Sequence, residues 1–127
     1  MTRKRIYIAG AITRGVLADN VNRATRAFYE LFAAGFAPFC PHWSVYAKEC
    51  CVADWEHSRV VCYGSAQPDN RMAHGDWLDL DLAWVAVAEA VLRLPGESTG
   101  ADAEVAHAKS LGIPVFHSID EAKAWLA

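Results

Sequence analysis

The sequence has no apolar run approaching the roughly 18–20 residues that a membrane-spanning helix needs, so a membrane partner is not expected. It has little basic charge: 12 Lys and Arg against 15 Asp and Glu leave a net −3. A partner held mainly through phosphate-backbone electrostatics, such as a nucleic acid polymer, is therefore not expected either. The short basic run Thr2-Arg3-Lys4-Arg5 reads as a solvated lead-in to the first strand. The 8 glycines and 5 prolines are too few for a collagenous or low-complexity chain. No internal repeat and no linker interrupts it. No pair among Cys40, Cys50, Cys51, Cys62, His42, His57 and His74 has C-x-x-C or H-x₃-H spacing, so a structural zinc site has little support and no metal is expected. The start of the chain is basic, but Gly10, Thr13, Arg14 and Gly15 break up what would be a signal-peptide core. A cytoplasmic protein is expected, where four cysteines need not pair.

Apolar material is abundant. Hydrophobic residues make up 54% of the 127, enough for one core, and residues 1–127 read as a single domain. Arg5 to Gly10 reads as a buried strand ending in a glycine turn. Asp19 or Asn20 can cap a helix running to about Ala34, with Val21, Ala24, Phe28, Leu31 and Phe32 on one face and Gly35 as its C-terminal stop. Phe36 to Cys40 is a second strand, stopped by Pro41. A helix from Asp76 to about Ala88 follows, with Leu78, Leu82, Val85 and Trp84 as its apolar side. Then come a strand over Ala90–Leu94, a helix from about Ala101 to Leu111, a strand over Ile113–Phe116, and a last helix opened by the Ser118…Glu121 capping box. This alternation predicts an α/β fold: a doubly wound parallel sheet of four to five strands, flavodoxin-like, with an irregular insert at about 41–72. A helical piece near 44–58 and a mobile tip near 64–72 are expected within the insert.

Sheets of this kind bind ligands beyond the carboxyl ends of their strands. That edge receives the loops Gly10–Gly15, Pro41–Trp43 and Pro95–Glu104, with Tyr7 close by in the first strand. The glycine turn around Ser98, Thr99 and Gly100 opens a helix, where free N–H groups and the helix dipole favour an anion or a sugar hydroxyl. Glu104 falls in the first turns of that helix, where the same field is expected to keep it ionised, as a nucleophile requires. A purely structural reading is equally concrete: Ser98 or Thr99 as helix cap, with Asp102 and Glu104 complementing the dipole. Asp76, Asp79 and Asp81 share one helix. Asp76 suits its N-cap, and Asp81 borders the apolar stripe and can face the sheet edge, unless all three form a solvated face. Tyr7 can be a core aromatic. Trp43, Tyr46 and Trp55 can stack on a base or simply pack the insert against the domain.

The order and separation of Ile6-Tyr7-Ile8-Ala9-Gly10, Asp81-Leu82, Ser98-Thr99-Gly100-Ala101-Asp102-Ala103-Glu104 and Gly112-Ile113-Pro114-Val115 resemble those of the nucleoside 2-deoxyribosyltransferase-like superfamily. The resemblance spans nearly the whole chain. It implies Glu104 as the nucleophile at the anomeric carbon, Asp81 as the group that helps protonate the departing base, and Tyr7 as the residue that orients the glutamate. It also implies a substrate site drawn from Gly10, Thr13, Arg14, Ser98, Thr99 and Gly100, to which the loop after the second strand adds His42 and Trp43 by its place at the same edge. Ser98 stands where the family's transferases carry aspartate, and in this it is similar to the 2′-deoxynucleoside 5′-phosphate N-hydrolases, whose serine contacts the 5′-phosphate. Ala11 stands where those hydrolases have serine. The segment Pro95 to Glu104 also looks like the phosphoribohydrolase loop of lysine-decarboxylase-like proteins, with spacing off by one residue. The resemblance implies a small-molecule nucleoside or nucleotide as partner, no cofactor, and a homodimer or larger homo-oligomer. The alternative is a nucleotide-binding or sensing module without turnover, since fold does not dictate function.

Overall fold

The computed structural model describes residues 2–44, 51–54, 59–62 and 73–127. Strand β1 (Arg5–Ala9) leads through a loop into helix α1 (Leu17–Ala34) and strand β2 (Ala37–Phe39). A 3₁₀ turn over Pro41–Ser44 follows, and then strands β3 (Cys51–Asp54) and β4 (Arg59–Cys62). Helix α2 (His74–Val87), strand β5 (Ala90–Arg93), helix α3 (Thr99–Ser110), strand β6 (Val115–Phe116) and helix α4 (Ile119–Leu126) complete the order. The main sheet is parallel, in the order β2-β1-β5-β6. The strand order reverses between β1 and β5, which is where doubly wound sheets open a crevice.

Alternation along the central strands divides the core into two layers. Ile6 and Ile8 of β1, with Ala90 and Leu92 of β5, face Ala24, Ala27 and Leu31 of α1 and Ala122 of α4. Tyr7, Ala9 and Val91 point the other way, onto Val85 of α2 and Ala101 and Ala108 of α3. A strand turns successive side chains to opposite faces. The odd position of Tyr7 therefore puts it on the same side of the sheet as α2 and α3, which carry Asp81 and Glu104.

Several local expectations are corrected. Neither Asp19 nor Asn20 caps α1; Val16 occupies that position without a side-chain bond. Asn20 lies one turn inside, buried, and its Nδ2 donates to the carbonyls of Ile12 (2.9 Å) and Arg14 (2.7 Å). It pins the loop after β1 instead of starting a helix. Phe32 is half exposed and lies under the Arg3 guanidinium, 4.1 Å from the ring centroid, so the buried stripe runs through Asn20, Ala24, Ala27 and Leu31. Trp84 is likewise exposed, stacked on Phe39 with ring centroids 5.3 Å apart. Asp76 is not the N-cap of α2; it sits at the third helical position and accepts from the Ala73 backbone N–H at 2.8 Å. Gly35 does end α1, at φ 111°, with its own N–H and that of Phe36 returning to Phe32 and Leu31 carbonyls.

The insert is more regular than expected where it is described. Residues 51–54 and 59–62 form an antiparallel pair with Cys51 opposite Cys62, not a helix. Val52, Val60 and Val61 give these segments the β-branched content that favours strand. The rest of the expected helix over 44–58, with Tyr46 and Trp55, and the expected tip over 64–72 lie outside the described residues. Among the described residues, no helix is long and apolar enough to cross a membrane.

Candidate active site

A cleft of about 390 Å³ opens at the carboxyl edge of the sheet where β1 and β5 part. That volume is within the range of small-molecule sites. Gly10, Ile12, Thr13 and Arg14 of the first loop form one wall, and Trp77, Leu78 and Asp81 of α2 form another. Ser98, Thr99, Gly100, Ala101 and Glu104 at the start of α3 close the third, with Ser44 at the rim.

Gly10 lets the first wall approach the sheet. A Cβ there would meet the Leu94 side chain at 3.0 Å (Cβ) and 3.2 Å (Cδ1) and His42 Nε2 at 3.4 Å. On α3, Ser98 is the N-cap, its Oγ accepting from the Ala101 N–H at 3.1 Å. The capping role and the cleft position thus belong to the same residue. The N–H groups of Thr99 and Gly100 are among those a helix leaves without intrahelical partners, and both residues line the cleft. Arg93 braces this loop from below. Its side chain is only 11% exposed and donates to the carbonyls of Leu94 and Gly96 and to Asp102 Oδ1.

Asp81 and Glu104 bring two carboxyl groups to one cavity, from helices more than a turn of chain apart. Glu104 is buried, and among the described residues its Oε2 has no hydrogen-bond partner. Desolvation pushes its pKa up to about 7; the Asp81 charge adds to the rise, while the Tyr7 phenol and Arg93 oppose it. Asp81 is pushed up to about 6, again by burial. The expectation that the helix dipole keeps Glu104 ionised is therefore corrected. Glu104 is the sixth residue after the cap, beyond the first turn to which the dipole's influence is confined, and burial outweighs it.

Tyr7 lies beneath the cleft, not in its wall. Its Oη is buried, and among the described residues it has no partner of good hydrogen-bond geometry. It is still close enough to both carboxyl groups for their charges, after burial itself, to hold the phenol far above its ordinary range. Tyr7, Asp81 and Glu104 are thus one electrostatic cluster assembled from β1, α2 and α3.

Of the other residues read from sequence, Gly10, Thr13, Arg14, Ser98, Thr99 and Gly100 all line the cleft. Arg14 is paired with Glu97 at 2.8 Å, an exposed contact joining the first wall to the third. His42 and Trp43 do not line the cleft. His42 is buried behind Gly10, kept neutral with a pKa lowered to about 4 by desolvation. Trp43 packs on Phe28, with centroids 4.7 Å apart, and its indole N–H donates to Thr25 Oγ1 at 2.9 Å. Of the two roles left open for Trp43, packing is the one these contacts show, anchoring the 3₁₀ turn on α1. Trp77 and Leu78 were missed; they precede Asp81 by four and three residues, a spacing that places all three on one helical face. Asn20 and Arg93 were missed as supports of the two loops. Ser44 carried no sequence signal. No group of three or more His, Cys, Asp or Glu that could hold a metal ion occurs among the described residues.

No protein-family model and no curated protein matches the sequence. Among solved structures, the chain is similar to a 2-deoxyribosyltransferase from the psychrotolerant bacterium Bacillus psychrosaccharolyticus. The TM-score is 0.56, the match covers 91% of this chain and 75% of that one, and the identity is 17%. The chain has the nucleoside 2-deoxyribosyltransferase-like fold. At this identity the fold is what the two share; the side chains of the cleft must carry any statement about chemistry.

Proposed function

We propose that the cleft breaks the N-glycosidic bond of a (deoxy)nucleoside or its 5′-monophosphate. The observation that carries this reading is the convergence of two desolvated carboxyl groups, Asp81 and Glu104, on one cleft large enough for a small molecule. Glu104 attacks C1′, forming a bond from its carboxylate oxygen to the sugar as the bond to the base nitrogen breaks. Asp81 gives its proton to that nitrogen, so the base leaves neutral. Water then takes the sugar from Glu104, with Asp81 recovering the proton; a second base in place of water makes the reaction a transfer. Tyr7 holds Glu104 from beneath. The N–H groups at the start of α3, with Ser98, Thr13 and Arg14, receive the 5′ end.

This cycle needs Glu104 ionised and Asp81 protonated, one proton on the pair. The two raised pKa values put the one-proton state between about pH 6 and 7.

Chromatography for free base after incubation with a panel of nucleosides and deoxynucleoside monophosphates tests the reading. Wild type should release base, and Glu104→Ala should reduce release by at least about 10³-fold while retaining the circular dichroism of the fold. Equal release by both proteins refutes the role of Glu104. Ligand binding without release by the wild type supports the sensing module instead.

A further inference from the structure

Arg93 ends β5 as the one charged residue of an otherwise apolar strand. It shares the parity of Val91 and pairs in register with Ala9 of β1, so it sits on the side of the sheet that carries α2 and α3. Its side chain is 11% exposed, which a charged group tolerates only when paired. The partners it finds belong to one short stretch of chain. The guanidinium donates to the carbonyls of Leu94 and Gly96, the latter at 2.9 Å, and to Asp102 Oδ1 at 3.1 Å. It thereby ties together the end of β5, the β5–α3 loop and the first turn of α3. Between the anchors at Gly96 and Asp102 lie Ser98, Thr99 and Gly100, which line the cleft. Asp102 is itself 71% exposed, so water weakens its hold on the buried charge. Replacing a buried ionic group by an apolar side chain is often neutral for stability, so stability alone does not account for an arginine here.

We propose that Arg93 is a positioning residue for the reaction: its guanidinium holds the chain between Gly96 and Asp102 in the shape that presents Ser98, Thr99 and Gly100 to the substrate, and it sets a buried positive charge on the side of the sheet where Glu104 acts. Arginine suits both tasks. Its planar fork reaches two carbonyls and a carboxylate at once, which the single ammonium of lysine does not match, and it stays charged at every working pH. That charge favours the ionised Glu104 that attack on C1′ needs, against the desolvation that pushes the glutamate's pKa up. Arg93 lies outside the lining of the cleft, so it acts through the loop and through Glu104. This inference rests on the glycosidase reading and names how its site is held and charged.

The test is base release by wild type, Arg93→Lys and Arg93→Met across a pH series, with kcat and KM separated. Lysine keeps the charge and loses the fork. Its KM should rise about 3- to 10-fold, the scale of one lost hydrogen bond, while the alkaline limb of kcat/KM stays where wild type has it. Methionine keeps an unbranched stem and loses both fork and charge. It should show a similar rise in KM and, in addition, an alkaline limb moved up by at least about half a pH unit, because a carboxyl group that loses a nearby cation holds its proton longer. A merely structural arginine would lower the Tm of both variants and leave KM and the limb unmoved, and that result overturns the inference. So does a limb that moves equally in both variants. Should Arg93→Met fail to fold, Arg93→Lys decides alone: a raised KM with an unmoved limb supports the inference, and an unchanged KM overturns it. All of these outcomes leave the glycosidase reading standing. No release of base by wild type from any nucleoside or nucleotide overturns both.

Discussion

Replacing Glu104 by glutamine should stabilise the protein at pH 8 and leave its stability nearly unchanged at pH 4. The carboxyl group is buried, and desolvation raises its pKa from 4.5 to about 7. The folded state therefore holds this proton more tightly than the unfolded chain does. Stability contributed by the protonated group is fully present below pH 4.5 and is lost as pH rises through 7. At 1.36 kcal/mol per pKa unit, that interval corresponds to about 3 kcal/mol at pH 8. Glutamine is nearly isosteric and never ionises, so it escapes this loss. For a chain of 127 residues, an unfolding entropy of about 2.1 cal/mol/K per residue converts 3 kcal/mol into roughly 10 °C of Tm. Thermal melts of both proteins at pH 4 and pH 8 give the comparison. Any packing effect of the amide contributes equally at both pH values, so the change in the Tm difference isolates the ionisation. A Tm difference that is the same at both would mean that Glu104 is well solvated when ionised, and the desolvated-cleft argument would fail with it.

Activity should follow a bell in pH, because the pair must carry one proton. The acid limb of kcat/KM should fall below about 6 and the alkaline limb above about 7; a plateau from pH 5 to 9 would exclude these two groups as base and acid. Gly10→Ala should destabilise by about 1–3 kcal/mol, since the added methyl meets Leu94 Cβ at 3.0 Å; a melt showing an unchanged or raised Tm would refute the close approach.

The architecture was legible because its signals are local and repeat. The short apolar runs of Arg5–Ala9 and Ala90–Arg93, the Gly35 stop and the Ser118…Glu121 box each follow from rules that act within a few residues. The errors arose where a residue type suits two roles. Asn20 is a good helix cap by type, yet it is spent on the Ile12 and Arg14 carbonyls of a loop whose path only the fold determines. Phe32 looked like core, but Arg3 covers it from outside. In the cleft, chain spacing and resemblance pointed to Tyr7, Asp81 and Glu104, and the parity of Tyr7 explains why they share one side of the sheet. The ionisation of Glu104 was misread because its distance from the helix start is plain in sequence but its burial is not. Trp77 was overlooked although its spacing from Asp81 was visible, because a tryptophan beside an apolar stripe reads as core until the cleft it lines is seen.

The two margins of the main sheet have a consequence of their own. β2 offers three residues with proline at its centre, and β6 offers two, directly after Pro114. Proline cannot donate to a ladder, and stubs this short give an incoming strand almost nothing to zip onto. A chain that is 54% hydrophobic thus blunts the rims of its sheet as templates for cross-β growth. Self-association through these rims would require the sheet to come apart first, which ties resistance to fibril formation to the stability of the fold.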